Sequence, residues 1–109
     1  MDKPHKQLHA WNISMQLVSE IYQLTQGFPD NERFGLTQQL RRASISIASN
    51  IAEGAARTGM NEFRHFISIA RGSVSEVDTQ MDIAEILGYL TAPQRETVDQ
   101  TLKRVDKLL

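Results

Sequence analysis

Cysteine is absent from this 109-residue chain. Its absence excludes disulfide frameworks, Cys-type zinc sites, iron–sulfur clusters and thiol nucleophiles, so the fold must rest on apolar packing. Proline (three) and glycine (six) are scarce, and aromatic residues make up only 6% of the chain. Neither charge sign dominates: 12 Lys and Arg against 13 Asp and Glu leave a formal charge of −1. That balance removes the simplest case for nucleic acid, a strongly basic domain, while leaving room for a local basic patch. Long hydrophobic runs are missing too. The most apolar segment, 45–51, is broken by Ser46, Ser49 and Asn50, far short of the ~20 apolar residues a spanning helix needs. The stretch Met1-Asp2-Lys3-Pro4-His5-Lys6 leads into an amphipathic segment, whereas a secretory signal carries a continuous apolar run of about 7–15 residues. The expectation is a single domain over 1–109, cytoplasmic and without a membrane partner.

What is present is helical periodicity. Over about 5–26, Leu8, Trp11, Met15, Val18 and Tyr22 recur at three- and four-residue steps, flanked by Leu17, Ile21 and Leu24. Over 37–56, the face is Leu36, Leu40, Ala43, Ile47, Ile51 and Gly54, bounded by Gly35 and Thr58-Gly59. Over 60–90, Phe63, Phe66, Ala70, Val77, Ala84 and Leu87 follow a heptad-like register, with Ile67, Val74 and Met81 beside them. The last helix opens on a Thr91-x-x-Gln94 capping box with Pro93 in its first turn, then places Val98, Leu102, Val105 and Leu109 on one stripe. No segment alternates apolar and polar residues like a strand. The predicted class is all-α: an antiparallel up-down-up-down four-helix bundle. Phe28 and Phe34 flank Pro29 and are expected to cap one end, with Phe34 a subunit-contact candidate if it is exposed.

Catalytic chemistry needs a nucleophile with a base, or paired carboxylates in unlike environments. The chain offers little of either. His5 and His9 share a helical spacing but no accompanying HExxH carboxylate, and Glu62-x-x-His65 occurs once where a di-iron bundle uses such a motif twice. Ser44, Ser46 and Ser49 have no evident base and read as small packing residues. No phosphate-binding glycine loop is present. No enzyme, metal, cofactor or small-molecule substrate is expected.

Two polar patterns are more informative. Ser46, Asn50 and Glu53 run along one edge of the second helix, and Arg71, Ser73 and Glu76 lie within two turns of the third. They are expected to form a polar interhelical or intersubunit network in which Arg71 or Arg42 pairs with Glu53 or Glu76. In addition, Arg57, Arg64, Arg71, Asp78 and Glu85 are spaced by seven. A seven-residue step drifts only about 20° around a helix, so this is one stripe, basic first and acidic later, provided Arg57 is already helical. In an oligomer, the basic half of one subunit could meet the acidic half of the next.

Several motifs together resemble a known family. These are Phe28-Pro29, Glu32-Arg33-Phe34-Gly35-Leu36, Gln39-Leu40-Arg41-Arg42-Ala43, Ser46-Ile47, Asn50-Ile51-Ala52-Glu53-Gly54, Arg57, Glu62-Phe63, Phe66, Ala70-Arg71-Gly72-Ser73 and Glu76. The pattern, over about 8–90, is similar to that of the bacterial 23S rRNA-intervening-sequence proteins. The resemblance implies a four-helix bundle assembled as a ring-shaped homopentamer, with no family catalytic residues to carry over. Relatives among accessory proteins of diversity-generating retroelements engage nucleic acid through a basic surface. Two function classes follow. One is an oligomeric module binding RNA, DNA or nucleoprotein through Arg41, Arg42, Arg57, Arg64 and Arg71. The other is a self-assembling structural or protein-interaction component with no nucleic-acid role.

Overall fold

A computed structural model describes residues 3–109; Met1 and Asp2, which open the stretch read for a leader, lie outside the described residues. Four helices carry the chain: α1 (His9–Thr25), α2 (Leu36–Ala56), α3 (Met60–Ile86) and α4 (Ala92–Leu108). Short 3-10 turns at Pro4–Gln7 and Asp30–Glu32 precede α1 and α2, and there is no strand among the described residues. Helix α3 has 27 residues. At roughly 1.5 Å per residue it runs about 40 Å, nearly the full long dimension of a 44 × 24 × 24 Å molecule.

Local chemistry sets the helix ends. Glu32 Oε1 accepts the Leu36 N–H at 3.2 Å, satisfying one of the donors that the first turn of α2 leaves unpaired. Gly35 makes this approach fit, because a Cβ there would stand 2.7 Å from the same carboxylate oxygen. Helix α3 stops at Ile86, four residues before the expected end at 90. Gly88 takes φ +77°, the Gly88 N–H bonds to the Glu85 carbonyl and the Tyr89 N–H reaches back to Ala84 O at 2.9 Å. This is the left-handed glycine cap that closes a helix C-terminus. The capping box on α4 forms as its sequence requires: the Gln94 N–H donates to Thr91 Oγ1 and the Thr91 N–H donates to Gln94 Oε1.

The helices pack in ring order, α1 on α2, α2 on α3, α3 on α4 and α4 on α1, without diagonal contacts, and α2 with α3 form the most extensive pair. Side-chain partners fix an antiparallel arrangement at each seam. Arg41, near the start of α2, reaches Thr25 at the end of α1; Ser46 meets Ser73; Arg95, early in α4, meets Asp78 and Asp82 late in α3. The core runs down the middle through Leu17, Ile21, Leu40, Ile47, Ile51, Val77, Met81 and Val105, all essentially inaccessible.

The expected face of α2 is buried throughout, from Leu36 to Gly54. For α1 the stripe was misjudged by about one residue's rotation. The buried line is Ile13, Ser14, Leu17, Ile21, Leu24 and Thr25, while Met15 and Tyr22 are 44% and 36% exposed. Apolar residues cover so much of this helix that periodicity alone cannot say which edge faces inward. On α3, Ala70, Val74, Val77, Met81 and Ala84 are buried, but Phe63 and Phe66 are only half-buried and Leu87, beyond the helix end, is exposed. Phe28 is buried and its ring tilts against Tyr89 at 5.5 Å. Phe34 does not cap the bundle: it is 82% exposed.

Candidate functional site

The residues singled out in the sequence fall on two seams and one end of the bundle. On the α2/α3 seam, the Ser73 hydroxyl donates to Ser46 Oγ at 2.9 Å. Asn50 Nδ2 donates to Ser46 Oγ at 3.0 Å and to the Ser46 carbonyl at 2.8 Å. Three of the six expected network members thus meet between helices, where small side chains let α2 and α3 come close. The other three do not join them. Glu53 pairs with Arg57 at 3.2 Å, with both side chains largely in solvent. Arg71 and Glu76 are exposed, and neither forms an ion pair among the described residues. The expected pairing of Arg71 or Arg42 with Glu53 or Glu76 is therefore absent, since Glu53 takes the nearer cation one turn along its own helix.

The five arginines do not converge on one face. Arg41 turns to the α1/α2 seam, its Nε donating to Thr25 Oγ1 at 2.9 Å and its guanidinium lying 4.4 Å from the Tyr22 ring centre. Its neighbour Arg42, about 100° further round the helix, is exposed beside the α2/α3 groove. Arg57 caps α2 in an extended conformation, φ −81° and ψ 153°, so it is not part of the α3 stripe. It stacks on Phe66 instead, 4.9 Å from the ring centre. Arg64 and Arg71 are exposed on α3.

The acidic half of that stripe is already engaged within its own chain. Arg95 of α4, with only 12% of its side chain exposed, contacts Asp82 at 2.9 Å, Asp99 at 2.9 Å, Asp78 at 3.1 Å and Glu85 at 3.5 Å. Burial pulls the guanidinium's pKa down, but hydrogen bonds to Asp99 and Asp82 and their negative charge outweigh it and hold the pKa above the ordinary value. Sequence reasoning passed over Arg95. The signal was there, as Arg95 and Asp99 at a helical i,i+4 spacing opposite the Asp78, Asp82 and Glu85 face of α3.

A second missed element is a latch at the end of the bundle formed by the α1–α2 loop and the α3–α4 turn. The Tyr89 hydroxyl donates to Glu32 Oε2 at 2.8 Å while Oε1 of the same carboxylate caps α2. The hydrogen bond to Glu32 raises the Tyr89 pKa above the ordinary tyrosine value, with desolvation and the Glu32 charge acting in the same direction. A folded state that holds this proton more tightly than the unfolded chain loses stability as pH climbs above about 10, the unfolded tyrosine value. Below that value the contribution is fully present. Alkaline denaturation followed by circular dichroism should therefore show a downward slope above pH 10 that Tyr89→Phe makes shallower. An identical slope in the variant would assign it to other groups.

The catalytic candidates stay apart. Ser44 is fully buried and donates to the Arg41 carbonyl at 2.9 Å. His65 is exposed against the edge of Phe66, and His5 against Trp11. Among the described residues no group of three His, Asp or Glu side chains is disposed to hold a metal ion, and no helix is long and apolar enough to cross a membrane.

Fold and polar seams define a small helical-bundle protein whose distinctive residues lie on surfaces and between helices. A solved structure from Bacteroides thetaiotaomicron VPI-5482, described as a protein of unknown function from the S23 ribosomal protein family, shares this fold. It superposes with a TM-score of 0.81 at 20% identity, covering 91% of this chain and 93% of its own. The family profile of the 23S rRNA-intervening sequence proteins matches residues 6–109, and the chain belongs to that family. No curated protein matches it.

Proposed function

We propose that this protein is a non-catalytic, self-associating bundle that acts through protein contacts in the cytoplasm. One observation carries the reading. Along the α1/α2 seam, Trp11, Met15 and Val18 face Ile45, Ala48 and Ala52 across an apolar groove of about 280 Å³ that no other element of the chain covers. Met15 and Ile45 are each more than 40% exposed. Fully covering a large apolar side chain stabilises a complex by about 1.5–3 kcal/mol relative to leaving it in water. The similarity to ring-forming relatives makes further copies of the same chain the natural occupant, up to a pentamer.

Light scattering on the wild type and on Met15→Glu and Ile45→Glu tests this. The wild type should form a discrete multimer of the 12.3 kDa chain, and either charge in the groove should shift its mass toward one chain. A wild type of single-chain mass at all concentrations would overturn the reading, and unchanged multimers in both variants would move the interface elsewhere.

Nucleic-acid binding is the second reading, favoured by Arg42, Arg64 and Arg71, which are exposed and form no ion pair among the described residues. A ring would repeat these three cations and multiply weak phosphate contacts. The signature is an affinity falling by orders of magnitude between about 50 and 200 mM salt. Failure to bind mixed RNA and DNA at low salt eliminates it.

A further inference from the structure

The α2/α3 groove beside the serine pair holds an unmet demand for hydrogen-bond partners. It encloses about 450 Å³ between Gln39, Arg42, Ala43 and Ser46 of α2 and Glu76 and Gln80 of α3, within the ~300–1,000 Å³ range of small-molecule sites. Gln80 is only 9% exposed, and its Oε1 is fully buried with no donor among the described residues. An unpaired buried acceptor costs about 1–3 kcal/mol unless something supplies a donor. Ser46 Oγ already accepts from Ser73 and Asn50, so its own hydroxyl hydrogen is left to donate. Arg42 and Glu76 stand on opposite walls, oppositely charged and paired with nothing in the chain.

This inventory discriminates among ligand classes. A phosphate would meet one cation but be repelled by Glu76, and a simple cation would be repelled by Arg42. A nucleobase would find no aromatic or broad apolar wall to stack on, since Ala43 is the only apolar liner. A zwitterion with a carboxylate and an ammonium satisfies both charges at once, and its N–H groups supply the donor that Gln80 Oε1 lacks. The geometry points to this groove as a site for a free polar α-amino acid, its carboxylate on Arg42 and Ser46 and its ammonium between Glu76 and Gln80. Arg42 supplies a planar fork suited to a carboxylate. The site uses the α2/α3 seam and is independent of the α1/α2 groove proposed for self-association.

Isothermal titration of the full chain with L-glutamine, L-glutamate and L-arginine, with L-leucine as apolar control, provides the test. One polar amino acid should bind at one per chain, and Arg42→Ala and Gln80→Leu should each weaken it at least tenfold. Glu76→Gln, at an exposed position, guards against misfolding of the buried variant and should weaken the same ligand. Circular dichroism should show unchanged helix content. No heat from any polar amino acid at millimolar concentration overturns the proposal, as does binding that survives all three substitutions. A change of oligomer mass in Gln80→Leu and Glu76→Gln without amino-acid binding also overturns it, assigning the groove to a second copy of the chain.

Discussion

Replacing Gly54 with leucine is expected to destabilise the fold by about 3 kcal/mol, the upper part of the range for forcing bulk into a well-packed interior. Gly54 is where α2 and α3 come closest. A Cβ there would stand 3.1 Å from Phe66 Cβ, 3.3 Å from the Phe63 carbonyl oxygen and 3.4 Å from Phe63 Cδ1. A single methyl requires neighbours to yield by a few tenths of an ångström. Against this, alanine gains up to about 1 kcal/mol of helix propensity over glycine, so Gly54→Ala should fall within about 1 kcal/mol of the wild type. A leucine side chain must instead displace the backbone of α3, because one of the contacted atoms is a main-chain oxygen. At about 4–8 °C per kcal/mol for domains near this size, thermal unfolding should place Gly54→Leu more than 10 °C below the wild type. A Gly54→Leu protein melting within 3 °C of the wild type would show that the helices can separate freely at this end.

Arg95→Met is expected to cost about 2 kcal/mol at low salt. The guanidinium sits among four carboxylates with 12% of its side chain exposed, whereas Asp78, Asp82 and Glu85 remain more than half in solvent. Exposed pairs are individually worth about 0.2–1 kcal/mol, and breaking a fully buried pair costs about 3–5 kcal/mol. A half-buried cation with several exposed partners lies between these limits. Methionine preserves the aliphatic packing of the stem, so the loss is electrostatic: four carboxylates on the α3/α4 seam are left facing one another. Screening shortens the reach of that repulsion to about 3 Å at 1 M salt. Urea unfolding should therefore show the variant's deficit shrinking to roughly half or less at 1 M sodium chloride. A deficit independent of salt would mean that Arg95 acts by packing alone.

Both predictions concern seams, and the seams separate what the primary structure discloses from what it conceals. The face of α2 was legible because its inward residues are apolar or small and the opposite edge is polar, so a 3.6-residue period has one solution. On α1 apolar residues spread around more than one face. Whether Met15 or Ile13 turned inward was settled by α4 and α2 packing on either side of Leu17 and Ile21. The polar residues of α2 and α3 were correctly gathered near one another, yet only Ser46, Asn50 and Ser73 bond together. Glu53 had a cation one turn away on its own helix, and a local partner costs less chain entropy than a distant one.

Arginine placement shows the same division. Adjacent Arg41 and Arg42 must diverge around a helix, and they do. Which of them found an aromatic ring and a threonine depended on where α1 came to rest. The seven-residue stripe joined Arg57 to α3, although Thr58-Gly59 signalled a break between them. Asp78 and Glu85 were taken as outward-facing charges because their counter-ion, Arg95, arrives from another helix.

By itself, then, the sequence determined a cysteine-free, all-helical chain with four segments, their capping and turn residues, one well-defined inward face and a family pattern. These are local properties, set by side-chain chemistry over one or two turns. The tertiary structure alone decided which edge of α1 is core, which charges meet, and where polar groups are left without partners. Those outcomes depend on which helix lies beside which, and the free energy of a contact is available only once both partners are in place.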